Sequence, residues 1–169
     1  MQRFFGRVGP GVEVESRGTR AVLKVRTFRI QDAGEVHAIS QESPKAAHWS
    51  RKSYVELAEE DDSRALVIEA DRALTGFLIG RCVADQAEIL NLAISLEHRR
   101  KGQGATLLAE ALQDFRLRGA TSVYLEVRES NTIAIAFYEK QGFAKTGLRK
   151  GYYRDPDEPA VTMVRKLTG

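Results

Sequence analysis

Residues 88–104, EILNLAISLEHRRKGQG, constrain the fold of this chain more than any other segment. An apolar run ends there in basic residues and two closely spaced glycines, Gly102 and Gly104, and an amphipathic helical pattern opens at Ala105. A strand, a glycine turn and a helix start, in that order, collect unpaired backbone N–H groups at the positive end of a helix dipole. Such an arrangement binds phosphate or pyrophosphate, and nearby basic side chains add charge-assisted contacts. The segment therefore predicts a site for a phosphorylated ligand.

The hydrophobic periodicity of the remaining chain predicts alternating strands and helices. The predicted strands cover residues 25–30, 64–70, 74–83, 87–94, 121–127, 145–148 and 160–166, and the predicted helices cover 32–40, 50–59, 105–118 and 133–140. Strand 87–94, helix 105–118 and strand 121–127 form a β-α-β unit, whose two strands run parallel through a right-handed crossover. Because hairpins flank this unit and add antiparallel partners, we expect a mixed α/β sheet.

Composition limits the class of protein. A chain of 169 residues suits one domain with a substantial core. The single cysteine, Cys82, excludes an internal disulfide, and with three scattered histidines it argues against a structural zinc site, so we expect no metal. No apolar run approaches the ~18 residues of a membrane span, and the first residues lack the apolar segment of a secretory leader. We therefore expect a cytoplasmic protein without membrane contact, with Cys82 in a strand or the core.

The N-terminal region is unusually basic. Residues 1–30 carry seven Lys and Arg against two acids, although the whole chain has a net charge of only +3. We expect residues 1–20 to form a basic extension ahead of a single domain spanning 21–169. A basic arm can contact RNA or the ribosome through phosphates. A solvated extension is favoured, because no basic patch interleaved with aromatic residues supports nucleic-acid recognition.

The glycine turn does not by itself identify the ligand. Leu107 stands where the dinucleotide fingerprint has its third glycine, and no Gly-Lys-Ser/Thr sequence follows at the spacing of a nucleotide P-loop. A glycine-rich turn without any ligand is an alternative at this point.

Further motifs narrow the choice. Arg99-x-x-Gly102-x-Gly104 is followed by LEVRESN at 125–131 and AFYEKQGF at 136–143. In this order and spacing the motifs resemble the GNAT acetyltransferase superfamily, over residues 25–167. Trp49-Ser50 and RKGYY at 149–153 resemble its RimI-type group of ribosomal-protein-alanine N-acetyltransferases. The resemblance implies the GNAT fold: a mostly antiparallel sheet of six to seven strands with a central parallel pair, flanked by about four helices.

The same resemblance implies acetyl-coenzyme A as the co-substrate. The pyrophosphate would bind the turn that consists of Arg99, Arg100, Lys101, Gly102, Gln103, Gly104 and Ala105. The pantetheine arm would pair like an added strand with Leu92, Ala93 and Ile94. Asn131 would contact the arm through its side-chain amide, although capping the following helix is equally compatible with the sequence.

The resemblance implies catalytic roles for two residues, Glu126 and Tyr138. Glu126 would act as the base, directly or through water, because an α-amino group with a pKa near 8 is mainly protonated at neutral pH. Tyr138 would act as the general acid toward the coenzyme A sulfur, since a tyrosine pKa near 10 keeps its proton in place. The alternatives are a solvated strand carboxylate and an ordinary core tyrosine. His37, His48 and His98 lie outside the matched positions, so we expect surface or packing roles for them.

The acceptor is expected to be the N-terminus of a protein such as a ribosomal protein, which attacks directly in a ternary complex. Trp49, Tyr152 and Tyr153 would line its channel, with ordinary packing as the alternative role for these rings. A small-molecule amine or a lysine side chain is the alternative acceptor. A non-catalytic acetyl-CoA-binding or ribosome-associated module is the alternative from another functional class. We expect a monomer or weak dimer.

Overall fold

The computed structural model describes residues 21–167, which form seven strands and four α-helices around one sheet. The strands are β1 (Leu23–Thr27), β2 (Ser63–Ala70), β3 (Ala73–Val83), β4 (Gln86–Ile94), β5 (Ser122–Arg128), β6 (Ala144–Arg154) and β7 (Asp157–Lys166). The helices are α1 (Ala33–Gln41), α2 (Arg51–Glu59), α3 (Gln103–Leu117) and α4 (Thr132–Lys140). The expected basic extension, residues 1–20, lies outside the described residues.

The strands lie in the order β1-β2-β3-β4-β5-β7-β6. Neighbouring strands run antiparallel except for β4 and β5, which are parallel and are connected through α3. This confirms the predicted mixed, mostly antiparallel sheet with a central parallel pair and four flanking helices. The parallel pair lies at the centre, where a helical crossover is the connection that can join two parallel neighbours.

Alternation along the strands divides the core into two layers. Leu66 and Ile68 of β2 belong to a cluster packed under α3 and α4, whereas Ala65 and Val67 belong to a cluster under α1 and α2. Because successive side chains of a strand point to opposite faces, the helix pairs cover opposite faces of the sheet. The positions of β5 in the α3/α4 cluster are Val123, Leu125 and Val127.

The parallel strands separate toward their carboxyl ends. Their pairing runs from Gln86–Ser122 to Ile89–Leu125 and ends there. At the next residue, Leu90, β4 carries a bulge, because Gly80 pairs with Ile89 while Ile79 pairs with Asn91. A bulge bends and twists its strand. Residues 90–94 then continue beside β3 and residues 126–128 beside β7, leaving a wedge that we call the β4–β5 cleft.

Four predicted elements had bounds that were wrong by two residues or more. Strand β1 lies at 23–27 rather than 25–30, because the Asp32 carboxylate accepts hydrogen bonds from the Arg26 side chain and the Arg29 backbone and turns the chain early. Helix α3 begins at Gln103, with Gly102 as its N-cap. The last two strands are also longer than predicted.

The final hairpin, formed by β6 and β7, is where the last two strands are longer than predicted. Strands β6 and β7 reach Arg154 and Asp157, so the gap at 149–159 between the predicted strands shrinks to two residues. Nearly every side chain of β6 is exposed, since the strand lies at the sheet edge. An edge strand facing water on both sides lacks the apolar alternation on which the sequence prediction relied.

Candidate active site

The N-terminus of α3 supplies backbone donors at the mouth of the β4–β5 cleft. Gly102 adopts φ +79°, a left-handed conformation that glycine reaches without a steric penalty. Thr106 N–H is the first to bond back into the helix, donating to the Gly102 carbonyl at 3.0 Å. Among residues 21–167 no side chain caps this end, and the N–H groups of Gln103, Gly104 and Ala105 have no acceptor. The helix end therefore suits a phosphate group.

Two side chains of the predicted phosphate turn point into the protein. Gln103 is buried, and its Oε1 accepts a 2.6 Å hydrogen bond from Thr75 Oγ1. Arg99 donates to the Ile94 carbonyl at 2.9 Å and to Ser43 Oγ at 2.6 Å. These side chains fix the turn to β3, to the end of β4 and to the α1–α2 loop. Any phosphate contact from Gln103 would therefore come through its backbone.

The remaining residues of the turn face solvent. Arg100 and Lys101 are exposed, and Arg100 has φ +60°. Gly104 lies in the first turn of α3, where a Cβ would stand 3.5 Å from the Phe137 ring. Basic side chains thus surround an open helix end, as an anion site requires.

The cleft edge of β4 carries the residues predicted to bind the pantetheine arm. Leu92, Ala93 and Ile94 pair with β3 on one side, and their pairing with β5 has ended. A free strand edge offers N–H and C=O groups to a peptide-like chain. The Ile94 carbonyl already accepts the Arg99 hydrogen bond, so Leu92 and Ala93 retain the greater freedom to bind.

Glu126 lies on the α1/α2 face of β5, because its neighbours Leu125 and Val127 point into the opposite layer. Its side chain is 17% exposed, and its Oε1 accepts a hydrogen bond from Arg149 Nη1. Interaction with the Glu126 carboxylate, together with burial, raises the pKa of Tyr152 to about 12. Glu126 therefore lies beside two side chains of β6, Arg149 and Tyr152.

Tyr138 lies on the other face of the sheet. It is 8% exposed and belongs to the α3/α4 layer, where it packs edge-on against Phe143 with ring centroids 5.5 Å apart. Burial, with a smaller contribution from Tyr153, raises the pKa of the Tyr138 hydroxyl above its usual value. Glu126 and Tyr138 thus lie on opposite faces of the sheet.

Asn131 caps α4, with its side-chain oxygen accepting a 3.3 Å hydrogen bond from the Ala134 N–H. The capping role is therefore present, and its predicted contact with the pantetheine arm stays a prediction. The side-chain NH₂ group of Asn131 remains a possible donor in addition to that cap.

The three predicted acceptor-channel aromatics occupy two different places. Trp49 packs on the fully buried Tyr54, with centroids 5.4 Å apart, in the α1/α2 layer. Tyr152 lies beside Glu126, and Tyr153 stacks under the Arg128 guanidinium at 4.1 Å. The α1/α2 layer, which includes Ala93 of β4, and Glu126 of β5 lie on one sheet face, so Trp49 and Tyr152 lie on that face.

Ion pairs and backbone hydrogen bonds connect the segments around the end of β5. Arg128 donates to Glu158 at 2.9 Å, and this contact, together with the Ser130 backbone N–H, lowers the pKa of Glu158. Lys45 Nζ in the α1–α2 loop donates to the Ser130 carbonyl at 2.6 Å. The α1–α2 loop therefore reaches the start of α4, a long-range contact that no sequence motif indicated.

Other groups contribute little to this site. His48 bonds the Ser43 carbonyl, His98 bonds Ser95 Oγ, and Cys82 is half-buried in β3. Within the described part of the chain, no group of three His, Cys, Asp or Glu could hold a metal ion. Likewise, no helix between residues 21 and 167 has the length and apolarity needed to cross a bilayer.

A family model fits the chain across this site. The model of the acetyltransferase (GNAT) family matches residues 34–143, from α1 to the turn after α4. A Bacillus subtilis (strain 168) protein is 38% identical over 140 residues, which cover 82% of this chain and 92% of the relative. It carries the provisional name ribosomal protein bS18-alanine N-acetyltransferase.

A second relative and a solved structure agree with that match. The ribosomal protein bS18-alanine N-acetyltransferase of Escherichia coli (strain K12) is 32% identical over 124 residues, covering 71% of this chain and 82% of that protein. The crystal structure of Ard1 from Thermoplasma volcanium superposes with a TM-score of 0.80 at 31% identity, covering 87% of this chain and 99% of the other.

Proposed function

The chain belongs to the GNAT acetyltransferase family, and from that premise we propose that it acetylates the N-terminal α-amino group of a protein, such as a ribosomal protein. It is an N-acetyltransferase with acetyl-CoA as its co-substrate. Two relatives, each matched by this chain over most of its length, are named for alanine N-acetylation of ribosomal protein bS18. Their names support an N-terminal acceptor. We propose a cytoplasmic location as well, since ribosomal proteins are synthesised there.

The observation that carries the proposal is the cleft between β4 and β5. It opens beyond Ile89–Leu125 and runs beside the free donors of α3. Glu126 borders it on one face of the sheet, and Tyr138 lies in the layer on the other. In this arrangement a thioester could pass through the sheet, with a carboxylate on its acceptor side and a phenol on its thiol side.

In the proposed reaction, the chain's residues bind the donor and manage two protons. The α3 N–H groups hold the diphosphate, and the β4 edge at Leu92 and Ala93 aligns the pantetheine arm. Acetyl-CoA supplies the acetyl group as a thioester. Glu126, directly or through water, takes a proton from the acceptor ammonium, and the free amine attacks the acetyl carbonyl.

A backbone N–H of Ala93 or Ile94 polarises that carbonyl during attack. The new C–N bond forms as the C–S bond breaks, and Tyr138 donates its hydroxyl proton to the departing sulfur. The nitrogen then releases its remaining extra proton to water, and Tyr138 regains a proton from water. The raised pKa of Tyr138 keeps the proton on oxygen throughout the neutral range, until negative charge develops on the sulfur. Direct attack requires no acyl-enzyme. This agrees with the position of Cys82, which lies at the carboxyl end of β3, away from the cleft.

Basicity favours an α-amine over a lysine side chain. Reference pKa values are about 8 for an α-amine and about 10.4 for lysine. Removing the proton from lysine at neutral pH therefore costs roughly 3 kcal/mol more, at about 1.4 kcal/mol per pKa unit. A single carboxylate base that is 17% exposed is better matched to the α-amine.

The test is acetylation of defined peptides by the purified protein with acetyl-CoA. One peptide begins with alanine and copies the N-terminus of ribosomal protein bS18, and a second has the same sequence with its α-amine blocked and an internal lysine free. Mass spectrometry of fragments locates the acetyl group. We expect modification of the first α-amine alone. Acetylation of the lysine peptide, or of neither peptide, contradicts the proposal.

A further inference from the structure

The proposed base, Glu126, is contacted by a cationic side chain, that of Arg149. Its guanidinium reaches across β7 from β6, where Arg149 pairs with Ala160, to the Glu126 carboxylate on β5. The Arg149 side chain is 60% exposed, whereas the Glu126 side chain is 17% exposed. The arginine thus covers the carboxylate from the solvent side, the side from which an acceptor must enter.

An arginine in this position makes the kind of contact that the acceptor itself must make. A guanidinium and an ammonium are both cationic donors with no acceptor lone pair, and both form charge-assisted hydrogen bonds to carboxylates. Glu126 Oε1 accepts a hydrogen bond from Arg149, and the same carboxylate raises the pKa of the neighbouring Tyr152. An acceptor ammonium therefore competes with Arg149 for the same oxygen.

The segment that carries Arg149 can release it. Regular β6–β7 pairing stops at Arg149–Ala160 and resumes at Tyr153–Glu158, leaving three residues of β6 unmatched. Gly151 lies among them with φ +64°. The guanidinium also stacks over the Tyr152 ring at 4.8 Å, a contact that can persist after it leaves Glu126. Because the Arg149 side chain is 60% exposed, water can solvate the guanidinium when it leaves Glu126, so this exchange is energetically accessible.

We propose that Arg149 is an internal substitute for the acceptor ammonium, which occupies Glu126 in the free enzyme and is displaced when the acceptor binds. The inference rests on the proposed role of Glu126 as the base for an amine. Its consequence is a reduced apparent affinity for the acceptor, because only the fraction of enzyme with Glu126 uncovered can bind. Acetyl-CoA binding, which uses other residues, is unaffected.

The experiment compares three variants with the wild type. Arg149→Met removes the competing charge, Arg149→Lys keeps it, and Lys150→Met removes the adjacent exposed charge. We expect Arg149→Met to lower the KM for the alanine-initiated peptide about three- to tenfold, while kcat changes far less. Arg149→Lys should stay near the wild type, and so should Lys150→Met. Thermal denaturation checks that each variant folds.

Three results would overturn the inference. A lower kcat for Arg149→Met at unchanged peptide KM would make Arg149 a positioning residue for Glu126. An equal fall in KM for Lys150→Met would assign the effect to the general charge of the region. An unchanged peptide KM and kcat would show that the contact does not compete. Calorimetry of the peptide with each variant measures the same displacement without turnover, so it separates this inference from failure of the proposed function.

Discussion

The substitution Gly76→Ala tests whether the cleft edge of β4 binds the donor. Gly76 lies in β3 and pairs with Ile94 of β4. A Cβ there would stand 2.4 Å from Ile94 Cδ1, 3.0 Å from the Ala93 carbonyl oxygen and 3.1 Å from Ile68 Cγ2. The Ile94 side chain could change rotamer, but the Ala93 oxygen is backbone, so relief requires β4 to move by several tenths of an ångström.

The expected cost follows from these contacts. Overpacking of this kind destabilises a core by about 1–3 kcal/mol. For a domain of this size each kcal/mol lowers Tm by roughly 2–4 °C, so we expect a fall of about 2–12 °C. Displacing Ala93 also misaligns the edge proposed to pair with the pantetheine arm. The KM for acetyl-CoA should therefore rise, while the KM for the peptide changes less.

Differential scanning calorimetry and initial-rate kinetics provide the two measurements. Gly147→Ala is the matched control, because its Cβ would stand 3.4 Å from Thr162 Oγ1 on the exposed edge strand β6. That variant should keep a Tm within about 2 °C of the wild type. If Gly76→Ala matches the control in both Tm and acetyl-CoA KM, the reasoning from close approach of β3 to β4 is refuted.

Three other predictions concern the proposed chemistry and the cleft rim. Glu126→Gln and Tyr138→Phe should each lower kcat on the order of 10²–10⁴-fold with unchanged acetyl-CoA affinity by calorimetry, and full activity in both would exclude their roles. The pKa of Glu158 is lowered by Arg128, so its stabilising effect is present above the unfolded pKa near 4.3 and is lost as pH falls through the lower folded value. Denaturant unfolding should show Glu158→Gln less stable than the wild type at pH 6, with the gap closing near pH 3; a constant gap would contradict this. Arg99→Met removes charged hydrogen bonds across the phosphate turn and should cost about 1.5–3 kcal/mol in the same assay while raising acetyl-CoA KM, and an unchanged KM would separate stability from binding.

Local signals in the sequence predicted several elements well. Ser50 begins the predicted helix 50–59, and its side chain accepts a hydrogen bond from Ser53 N–H at 3.1 Å at the start of α2. Gly119 and Gly142 follow the predicted helices 105–118 and 133–140, and both have positive φ just after α3 and α4. These features depend on residues within one or two turns of each other, so the sequence contains the information directly.

The side-chain contacts at the site were harder to predict from the sequence than the helix ends. The phosphate turn was predicted, yet the sequence did not indicate that Gln103 and Arg99 would turn inward to Thr75 and Ser43. Arg149 stood inside a recognised motif, but its contact with Glu126 joins residues on strands that are not neighbours in the sheet. Choice among several possible partners depends on where the backbone places each of them.

The sequence by itself determined the order of strands and helices, the glycine-lined helix start and the alternation that gives β5 two different faces. Periodicity and capping are local, and they act through neighbouring residues of one segment. Only the tertiary structure decided that β4 leaves β5 after Ile89 and that Glu126 and Tyr138 lie on opposite faces of the sheet. That outcome depends on the bulge at Leu90, after which the end of β4 pairs with β3 while the end of β5 pairs with β7. Pairing between such distant segments is set by the packing of the whole core.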